Sequence, residues 1–272
     1  MTDANPKNRM PECYGIIPAR SESKRFPGKP LADILGRPMI LHVYEQARQC
    51  TCLTSVFLAT DDDRIRLVAQ KWDIPVVMTS TAHPSGTDRV MEAAAKLNLP
   101  PDSVVVNIQG DEPALDPAML AQLVSPFRAA DVQVTTLARK ISAAEVGNPD
   151  LVKVVFAENG RALYFSRSPI PHPSKEQKIN YYGHIGIYAF RMKVLEKFVT
   201  LDQSRLEVTE RLEQLRLLEN NIAIHIVMTD YHTCSVDRPG DIETVSKIIS
   251  GKTRVKGKIK LNKQSDKDEP MQ

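Results

Sequence analysis

Residues 14–30 read YGIIPARSESKRFPGKP, and this stretch holds the first strand and the first polar loop of the chain. The apolar run 14–17 ends at Pro18 and predicts a buried β-strand. The loop that follows is basic, and Gly28 permits a close backbone approach or a positive φ. Open α/β sheets bind ligands at the carboxyl ends of their strands, so a basic loop at this point suits a polyphosphate. A solvated loop without a ligand would have the same composition.

Short apolar runs alternate with helical patterns through the first half of the chain. This alternation predicts an α/β fold with a doubly wound, mostly parallel sheet. The predicted strands after the first are residues 55–59, 74–78, 103–108 and 132–138, and the predicted helices start near Pro38, Asp61, Thr87 and Asp116. Run 103–108 is the most apolar, which is typical of a central strand. Pro75 indicates that run 74–78 lies at an edge.

A hairpin signal interrupts this rhythm in the second half of the chain. Asn159-Gly160 separates two apolar runs, 153–157 and 162–165, and such a dipeptide is the strongest short-range indication of a hairpin. We therefore predict that residues 148–190 form a small β insertion that extends the main sheet or projects from it.

One long helix is predicted later in the chain, at residues 206–220. Its spacing would place Glu210, Glu213 and Gln214 on neighbouring turns. An apolar run at 222–228 then predicts a last strand.

Composition and charge are those of an ordinary globular chain. The 272 residues are 42% hydrophobic and 25% charged, which fits one large α/β domain. Net charge is +3, but residues 251–272 carry seven Lys/Arg against three Asp/Glu. The remaining body is therefore not a basic nucleic-acid binder. We expect a loose leader at 1–12, one domain at 14–250 and a disordered basic tail at 251–272 that is inert or solubilising, with nucleic-acid or membrane binding by the tail as the alternative.

Cysteine spacing and hydropathy bear on the compartment. The four cysteines form no C-x-x-C pair, so neither a zinc site nor a disulfide framework is indicated. The first dozen residues lack the apolar segment of a signal peptide, and no apolar run has the length of a membrane span. These features predict a cytoplasmic protein with no membrane partner.

Two further polar stretches follow predicted strands. The stretch 79–89, TSTAHPSGTDR, runs into a helix and is either an N-capped helix entry or a pocket for a base and ribose. The stretch 109–113, QGDEP, ends the most apolar strand, where Asp111 is a candidate Mg²⁺ ligand as well as an ordinary turn residue. Asp237, the second candidate Mg²⁺ ligand, lies just before Pro239 and the last predicted helix, residues 240–250. Neither a P-loop nor a dinucleotide-binding glycine pattern occurs.

Six motifs in order, spread over residues 14–250, resemble one enzyme family. They include the strand and loop IPAR…SKRFPGKPL, then HPSGTDR (83–89), QGDEP (109–113) and LEQLR (212–216). The chain is similar to the sugar-activating nucleotidyltransferases, and most of all to the 3-deoxy-manno-octulosonate (Kdo) cytidylyltransferases. Neither the leader nor the lysine-rich tail belongs to the common core of that family.

The resemblance implies a Rossmann-like nucleotide-diphospho-sugar transferase fold and a Mg²⁺-dependent reaction. CTP and Kdo would give CMP-Kdo and pyrophosphate, for lipopolysaccharide biosynthesis. The implied catalytic residues are Arg20, Lys29, Asp111 and Asp237, of which Asp111 and Asp237 would also hold the metal. The implied nucleotide-binding residues are Arg20, Arg25, Lys29, Ser85, Gly86, Thr87 and Arg89. The implied sugar-binding residues are Gln109, Arg167, His184, Tyr188, Glu213 and Gln214.

The resemblance also implies a homodimer formed through the β insertion. The close alternative is a cytidylyltransferase for another acid sugar, such as 8-amino-Kdo or sialic acid. The alternative from a different class is a catalytically silent nucleotide-binding protein. Such a protein would lose its metal ligands, whereas both aspartates are present here.

Overall fold

A twisted sheet with helices on both faces forms the centre of the computed structural model, which describes residues 10–20, 25–173 and 179–251. In chain order the strands are β1 Cys13–Ala19, β2 Asp33–Ile34, β3 Arg37–Pro38, β4 Ser55–Thr60, β5 Val76–Met78, β6 Val104–Asn107, β7 Val134–Ile141, β8 Lys153–Phe156, β9 Ala162–Ser166, β10 Tyr181–Arg191 and β11 Ile224–Met228. The α-helices are α1 Met39–Arg48, α2 Asp63–Lys71, α3 Gly86–Lys96, α4 Pro117–Val124, α5 Ala143–Val146, α6 Met192–Phe198, α7 Arg205–Glu210, α8 Leu215–Glu219 and α9 Asp241–Ser250. Most of the predicted leader, all of the tail beyond Gly251, and Lys24 of the basic loop lie outside the described residues.

The strand order of the main sheet is β11-β7-β10-β6-β1-β4-β5. Strands β6, β1, β4 and β5 are parallel, as are β7 and β11, whereas β10 runs antiparallel to both of its neighbours. Apolar side chains of α1, α2 and α4 pack on one face, and those of α3, α6 and α8 pack on the other. The predicted doubly wound, mostly parallel α/β fold is therefore confirmed, with β6 inside the sheet and β5 at its edge.

Helices α1 to α4 begin close to the residues at which the sequence predicts them, because the local capping residues are present. Asp62, Ser85 and Asp116 cap α2, α3 and α4, because each side chain accepts hydrogen bonds from the first backbone amides of its helix. Pro38 precedes the first residue of α1. These caps fix the points at which the loops after β4, β5 and β6 turn back over the sheet.

Three of the sequence motifs meet at Pro18, near the carboxyl end of β1. A Cβ atom on Gly110 would lie 2.8 Å from the Pro18 carbonyl oxygen, so only glycine lets the QGDEP turn approach β1 this closely. A Cβ atom on Gly86, at the start of α3, would lie 3.5 Å from the Pro18 ring. The basic loop, the start of α3 and the end of β6 therefore share one edge of the sheet.

The predicted hairpin is present as β8 and β9, paired antiparallel. Gly160 in its turn has φ 82°, which the Asn-Gly pair supplies. Strand β8 extends the sheet through one pairing, Gly183 with Lys153. Strand β10 itself pairs with β6 and β7 at the middle of the sheet, so the interval 148–190 contains most of a central strand as well as the hairpin.

The prediction of one helix at residues 206–220 is wrong. Arg211 adopts the left-handed conformation, φ 55°, and separates α7 from α8. A buried ion pair holds α8 back against α7: Arg216 Nε donates to Glu207 Oε2 at 2.8 Å, and Nη2 donates to Oε1 at 2.6 Å. Because the helix breaks, Glu210 and Glu213 reach different parts of the molecule instead of one shared helix face.

Within the part of the chain that the structure describes, no helix is both long and apolar enough to cross a membrane. All four cysteines are free thiols.

Candidate active site

Two carboxylates meet at one lysine beside the carboxyl ends of β1 and β6. The Lys29 ammonium lies 2.6 Å from Asp111 Oδ2 and 3.7 Å from Asp237 Oδ1. Arg25 also donates to Asp237 Oδ1, at 2.9 Å. The structure thus brings together four residues that the sequence analysis assigned to catalysis, nucleotide binding and metal binding.

The backbone around each of these groups fixes its position. The amide of Val236 donates to the Asp111 carbonyl at 2.9 Å, which joins the loop before α9 to the QGDEP turn. Asp241 Oδ2 accepts from the amides of Asp237 and Arg238, both at 2.8 Å. Gly28, with φ 71°, turns the chain into the short 3-10 turn that carries Lys29. These hydrogen bonds therefore fix the backbone at Asp111 and Asp237.

Glu112 is a third carboxyl group at this site, which the sequence analysis quoted only as part of a motif. It is buried, and its Oε2 atom has no hydrogen-bond partner among the described residues. Burial, with the neighbouring Asp111 charge adding to it, raises the pKa of Glu112 to about 8. The negative charge available to a cation at neutral pH is therefore mainly that of Asp111 and Asp237.

Asp111 and Asp237 could hold Mg²⁺ only together with ligands from outside the protein. Within the described ranges, no group of three or more His, Cys, Asp or Glu side chains is arranged to hold a metal ion. Mg²⁺ is usually held by one or two carboxylates together with substrate phosphates and water. Two carboxylates already brought together by the Lys29 ammonium match that pattern, and water or the phosphates of a bound nucleotide would supply the other ligands of a metal.

Arg20, another basic residue of the first loop, lies directly after β1 and is exposed. It shares the carboxyl edge of the sheet with Lys29, so both cations can face a ligand bound there. The four residues after Arg20 lie outside the described part of the chain.

The loop at the start of α3 combines a helix cap with a contact across the site. Ser85 Oγ accepts from the amides of Thr87 and Asp88, so the hydroxyl serves as the N-cap. The Thr87 hydroxyl donates to Glu213 Oε2 at 2.7 Å. Thr87 therefore joins the predicted nucleotide loop to a predicted sugar residue, a link that no local sequence pattern indicates.

Arg89 is buried within the protein. Its Nη2 donates to Asp61 Oδ2 at 2.7 Å, and its Nη1 donates to the Thr79 hydroxyl at 2.5 Å. Only 3% of Arg89 is exposed. The structure thus shows Arg89 holding the ends of β4 and β5 to α3, which supports the shape of the loop.

A row of polar side chains lies on the face of the sheet beneath α3. Asn107 and Tyr188 are paired neighbours on β6 and β10, and Tyr188 is paired with Thr136 on β7. The pKa of Tyr188 is raised well above its usual value by burial, with the Glu213 charge adding to the effect. Asn107 Nδ2 donates to the Thr87 hydroxyl at 3.4 Å.

Several polar atoms in this region are buried and unpaired. Asn107 Oδ1, Glu213 Oε1 and Gln214 Nε2 have no hydrogen-bond partner in the described chain. Buried polar groups are nearly always paired, with protein, water or a ligand. Water or a ligand can therefore complete the hydrogen bonding of these atoms. Asn107 was missed from the sequence, although an amide at the end of an all-valine strand was a usable signal.

Gln109 lies on the same side of the site and donates to the Gly186 carbonyl at 3.0 Å. Gly186 sits at an irregularity in the β10–β7 pairing, between Ile185 and Tyr188. Such a bulge redirects side chains at functional edges. The bulge keeps Gln109, which follows the end of β6, next to the row of polar side chains that includes Tyr188 on β10.

His184 packs against two aromatic rings and hydrogen-bonds through Nε2 to Thr136 Oγ1 at 3.0 Å. The ring centroids of Phe165 and Tyr188 lie 5.1 and 5.4 Å away. Burial lowers the pKa of His184 from 6.5 to about 3, so the imidazole is neutral at physiological pH. It can accept or donate one hydrogen bond there, and it supplies no charge.

The depressed pKa of His184 predicts a pH-dependent loss of stability. The unfolded chain takes up this proton near pH 6.5 and the folded chain only near pH 3, so the contribution is complete above pH 6.5 and is lost as the pH falls toward 3. We expect the unfolding free energy of wild type to fall more steeply than that of His184→Gln between pH 7 and 4.5. Chemical denaturation of both proteins across this range measures it. Parallel curves would contradict the depressed pKa.

Arg167 lies at the end of β9, beside the break between α7 and α8. Its amide donates to Glu210 Oε2, and its Nε donates to the Glu210 carbonyl, both at 3.0 Å. It lines an open pocket of about 560 Å³ with Pro149, Asp150, Thr209, Glu210 and Arg211. The aromatic contact of Phe165 with His184 connects β9 to the polar row, and Arg167 follows Phe165 by two residues.

A cytidylyltransferase family model matches residues 14–224. The chain belongs to this family. The 3-deoxy-manno-octulosonate cytidylyltransferase of Nitratidesulfovibrio vulgaris is 59% identical over 241 residues, which are 87% of this chain and 96% of the relative. The 8-amino-3,8-dideoxy-manno-octulosonate cytidylyltransferase of Shewanella baltica is 45% identical over 84% of this chain and 94% of its own length.

The comparison with solved structures agrees. The structure of CMP:2-keto-3-deoxy-manno-octonic acid synthetase complexed with CTP is 42% identical to this chain. It covers 88% of this chain and 99% of its own, with a TM-score of 0.84. The predicted family and fold are thereby confirmed, and the chain is a cytidylyltransferase.

Proposed function

We propose that this cytidylyltransferase transfers CMP from CTP to the anomeric hydroxyl of Kdo, giving CMP-Kdo and pyrophosphate for lipopolysaccharide biosynthesis. The observation that carries the proposal is the meeting of Asp111 and Asp237 at the Lys29 ammonium, on the strand edge shared with the nucleotide loop. The 59% identity to a Kdo cytidylyltransferase supports Kdo as the sugar, above the amino derivative named for the 45% identical relative.

In the proposed reaction the anomeric oxygen attacks the α-phosphorus of CTP, and the bond to the β-phosphate breaks. Arg20, Arg25 and Lys29 neutralise the triphosphate and the leaving pyrophosphate. The start of α3, with Ser85, Gly86 and the helix dipole, receives the nucleotide. The buried, unpaired atoms of Glu213 and Gln214 receive sugar hydroxyls, and Arg167 receives the sugar carboxylate.

Asp111 and Asp237 would hold Mg²⁺ in this site. When bound, Mg²⁺ lowers the pKa of a coordinated hydroxyl and offsets charge that develops on phosphate oxygens. The Lys29 ammonium contacts both carboxylates, so its charge would lie beside such a metal and would be available to the phosphates of the nucleotide.

We also propose a cytoplasmic homodimer. The hairpin β8–β9 extends from the sheet, and Leu163 on it is 60% exposed while Val208 on α7 is 61% exposed. Covering such side chains with a second copy removes apolar surface from water. Light scattering coupled to size exclusion tests the dimer, and a monomer that does not change mass with concentration would contradict it.

Pyrophosphate release tests the enzymatic proposal. Purified protein is assayed with CTP, UTP, ATP or GTP against Kdo, 8-amino-Kdo or sialic acid, with Mg²⁺ or with EDTA. We expect release with CTP and Kdo only, abolished by EDTA. Release with CTP and another sugar would correct the substrate, and no release from folded protein with any pair would overturn the proposal.

A further inference from the structure

Lys153 is a fully buried cation that no step of the proposed reaction uses. It lies at the start of β8, with 0% of its surface exposed. Its ammonium donates to the carbonyls of Asn148 at 2.9 Å and Leu151 at 2.7 Å, and also to the carbonyl of Arg167. The three donors of one ammonium are thus matched by three backbone acceptors.

These bonds tie the loop 148–151, which contacts the Arg167 side chain, to the backbone of Arg167 itself. The loop 148–151 supplies the Pro149 carbonyl, which accepts from Arg167 Nη1 at 3.1 Å. The Glu210 carbonyl accepts from Arg167 Nε at 3.0 Å. The guanidinium is therefore held from two sides over the pocket of about 560 Å³. Lys153 fixes one of those sides and, through the Arg167 carbonyl, the backbone from which the side chain starts.

Keeping a charged group at this buried position has a cost in stability. Burial, together with the nearby Arg167 charge, lowers the pKa of Lys153, so the folded state bears a cost for keeping it charged. No carboxylate oxygen is among the three acceptors of the ammonium. An apolar side chain of similar length would avoid the cost of burying a charge, but it would leave three backbone carbonyls without their donor. What the ammonium supplies is a fixed relative position of three carbonyls.

We propose that Lys153 is a positioning residue for Arg167 and thereby sets the affinity of the site for the carboxylate of its acid sugar. The inference rests on the proposed function, because it takes Arg167 as the group that binds the carboxylate. A bidentate guanidinium–carboxylate contact depends on orientation, so losing one side of the support weakens binding even though Arg167 is still present.

Steady-state kinetics of Lys153→Met give the first test. The methionine has similar length without donors. We expect the KM for Kdo to rise about tenfold, with the KM for CTP and kcat changed less than about threefold. Lys153→Gln keeps two donors and should give a smaller rise. It also serves if the methionine variant does not fold.

Arg191 provides a matched control. It donates to three backbone carbonyls as well, those of Phe127, Ala129 and Val132. It lies at the opposite end of the sheet, paired with Val104 at the start of β6. Arg191→Met should lower the unfolding temperature without raising the KM for Kdo. An equal rise of that KM in both variants, or none in Lys153→Met and Lys153→Gln, would overturn the proposal.

A double-mutant cycle separates positioning from general damage. In an Arg167→Ala background, Lys153→Met should raise the KM for Kdo by no more than about twofold, because the group it positions is gone. A full, independent rise in that background would overturn the proposal.

Amide hydrogen exchange provides a readout that does not depend on turnover. In Lys153→Met, residues 148–151 and the backbone at Arg167 should exchange faster while residues 127–132 stay protected, with the reverse in Arg191→Met. If wild type turned over no acid sugar, the proposed function would fail. The role of Lys153 can still be tested in that case, because unchanged exchange of residues 148–151 in Lys153→Met would overturn it.

Discussion

Replacing either Asp111 or Asp237 with asparagine is expected to lower kcat by about 10³-fold. Both side chains approach the Lys29 ammonium, and they are the two carboxylates placed to hold a metal together with nucleotide phosphates. Asparagine keeps the size and one oxygen of each side chain but removes the charge. Pyrophosphate release at saturating CTP, Kdo and Mg²⁺ measures the effect.

The fold should survive these substitutions. In either variant the Lys29 ammonium keeps the other aspartate as its partner, so no buried charge is left without a counter-charge. Asp102→Asn is a suitable control, because Asp102 is exposed and pairs with Lys193 at 3.2 Å. It should leave kcat unchanged. Folded Asp111→Asn and Asp237→Asn proteins with near-normal turnover would refute the assignment of these residues to metal binding.

Replacing Lys29 with methionine is expected to lower kcat by about 10²-fold, because a cation is lost beside the triphosphate. A second effect follows from its place between the two carboxylates. Without the ammonium, Asp111 and Asp237 repel each other in the nucleotide-free protein, since Lys29 is only 15% exposed and screens them directly. The unfolding temperature of the variant should therefore fall in metal-free buffer.

Mg²⁺ should raise the unfolding temperature of Lys29→Met more than that of wild type, because the metal replaces the lost positive charge. Differential scanning calorimetry over a Mg²⁺ titration measures this. Lys247→Met is the control, since Lys247 pairs with Glu243 on the exposed face of α9. An identical response in wild type and Lys29→Met would show that Lys29 does not occupy the metal position.

Most of the fold could be predicted from sequence patterns that involve only neighbouring residues. The helix caps at Ser85 and Asp116, the Asn-Gly turn before β9 and the apolar run of β6 each depend on a few neighbouring residues. Those signals are present in the sequence whatever the rest of the chain does. The strand alternation and the order of the family motifs then fixed the α/β class and the family.

The single helix predicted at residues 206–220 is wrong because the break in it depends on tertiary contacts. Its residues have helical spacing, but Arg211 leaves the helical conformation and the Arg216–Glu207 ion pair closes α8 onto α7. That arrangement gains burial and two charge-assisted hydrogen bonds at the cost of one strained residue. The gain depends on side chains that meet only in three dimensions.

The sequence by itself determined which residue types gather at the strand ends: the basic loop, the capped start of α3, and Asp111 after the central strand. The tertiary structure alone decided how those residues are used. It buried Arg89 against Asp61, directed the Thr87 hydroxyl to Glu213, placed Lys29 between Asp111 and Asp237, and enclosed Lys153 with three carbonyls. Apart from the bonds of Lys153 to Asn148 and Leu151, these contacts join segments that are distant in the chain. Their energy therefore comes from burial and geometry that no local pattern contains.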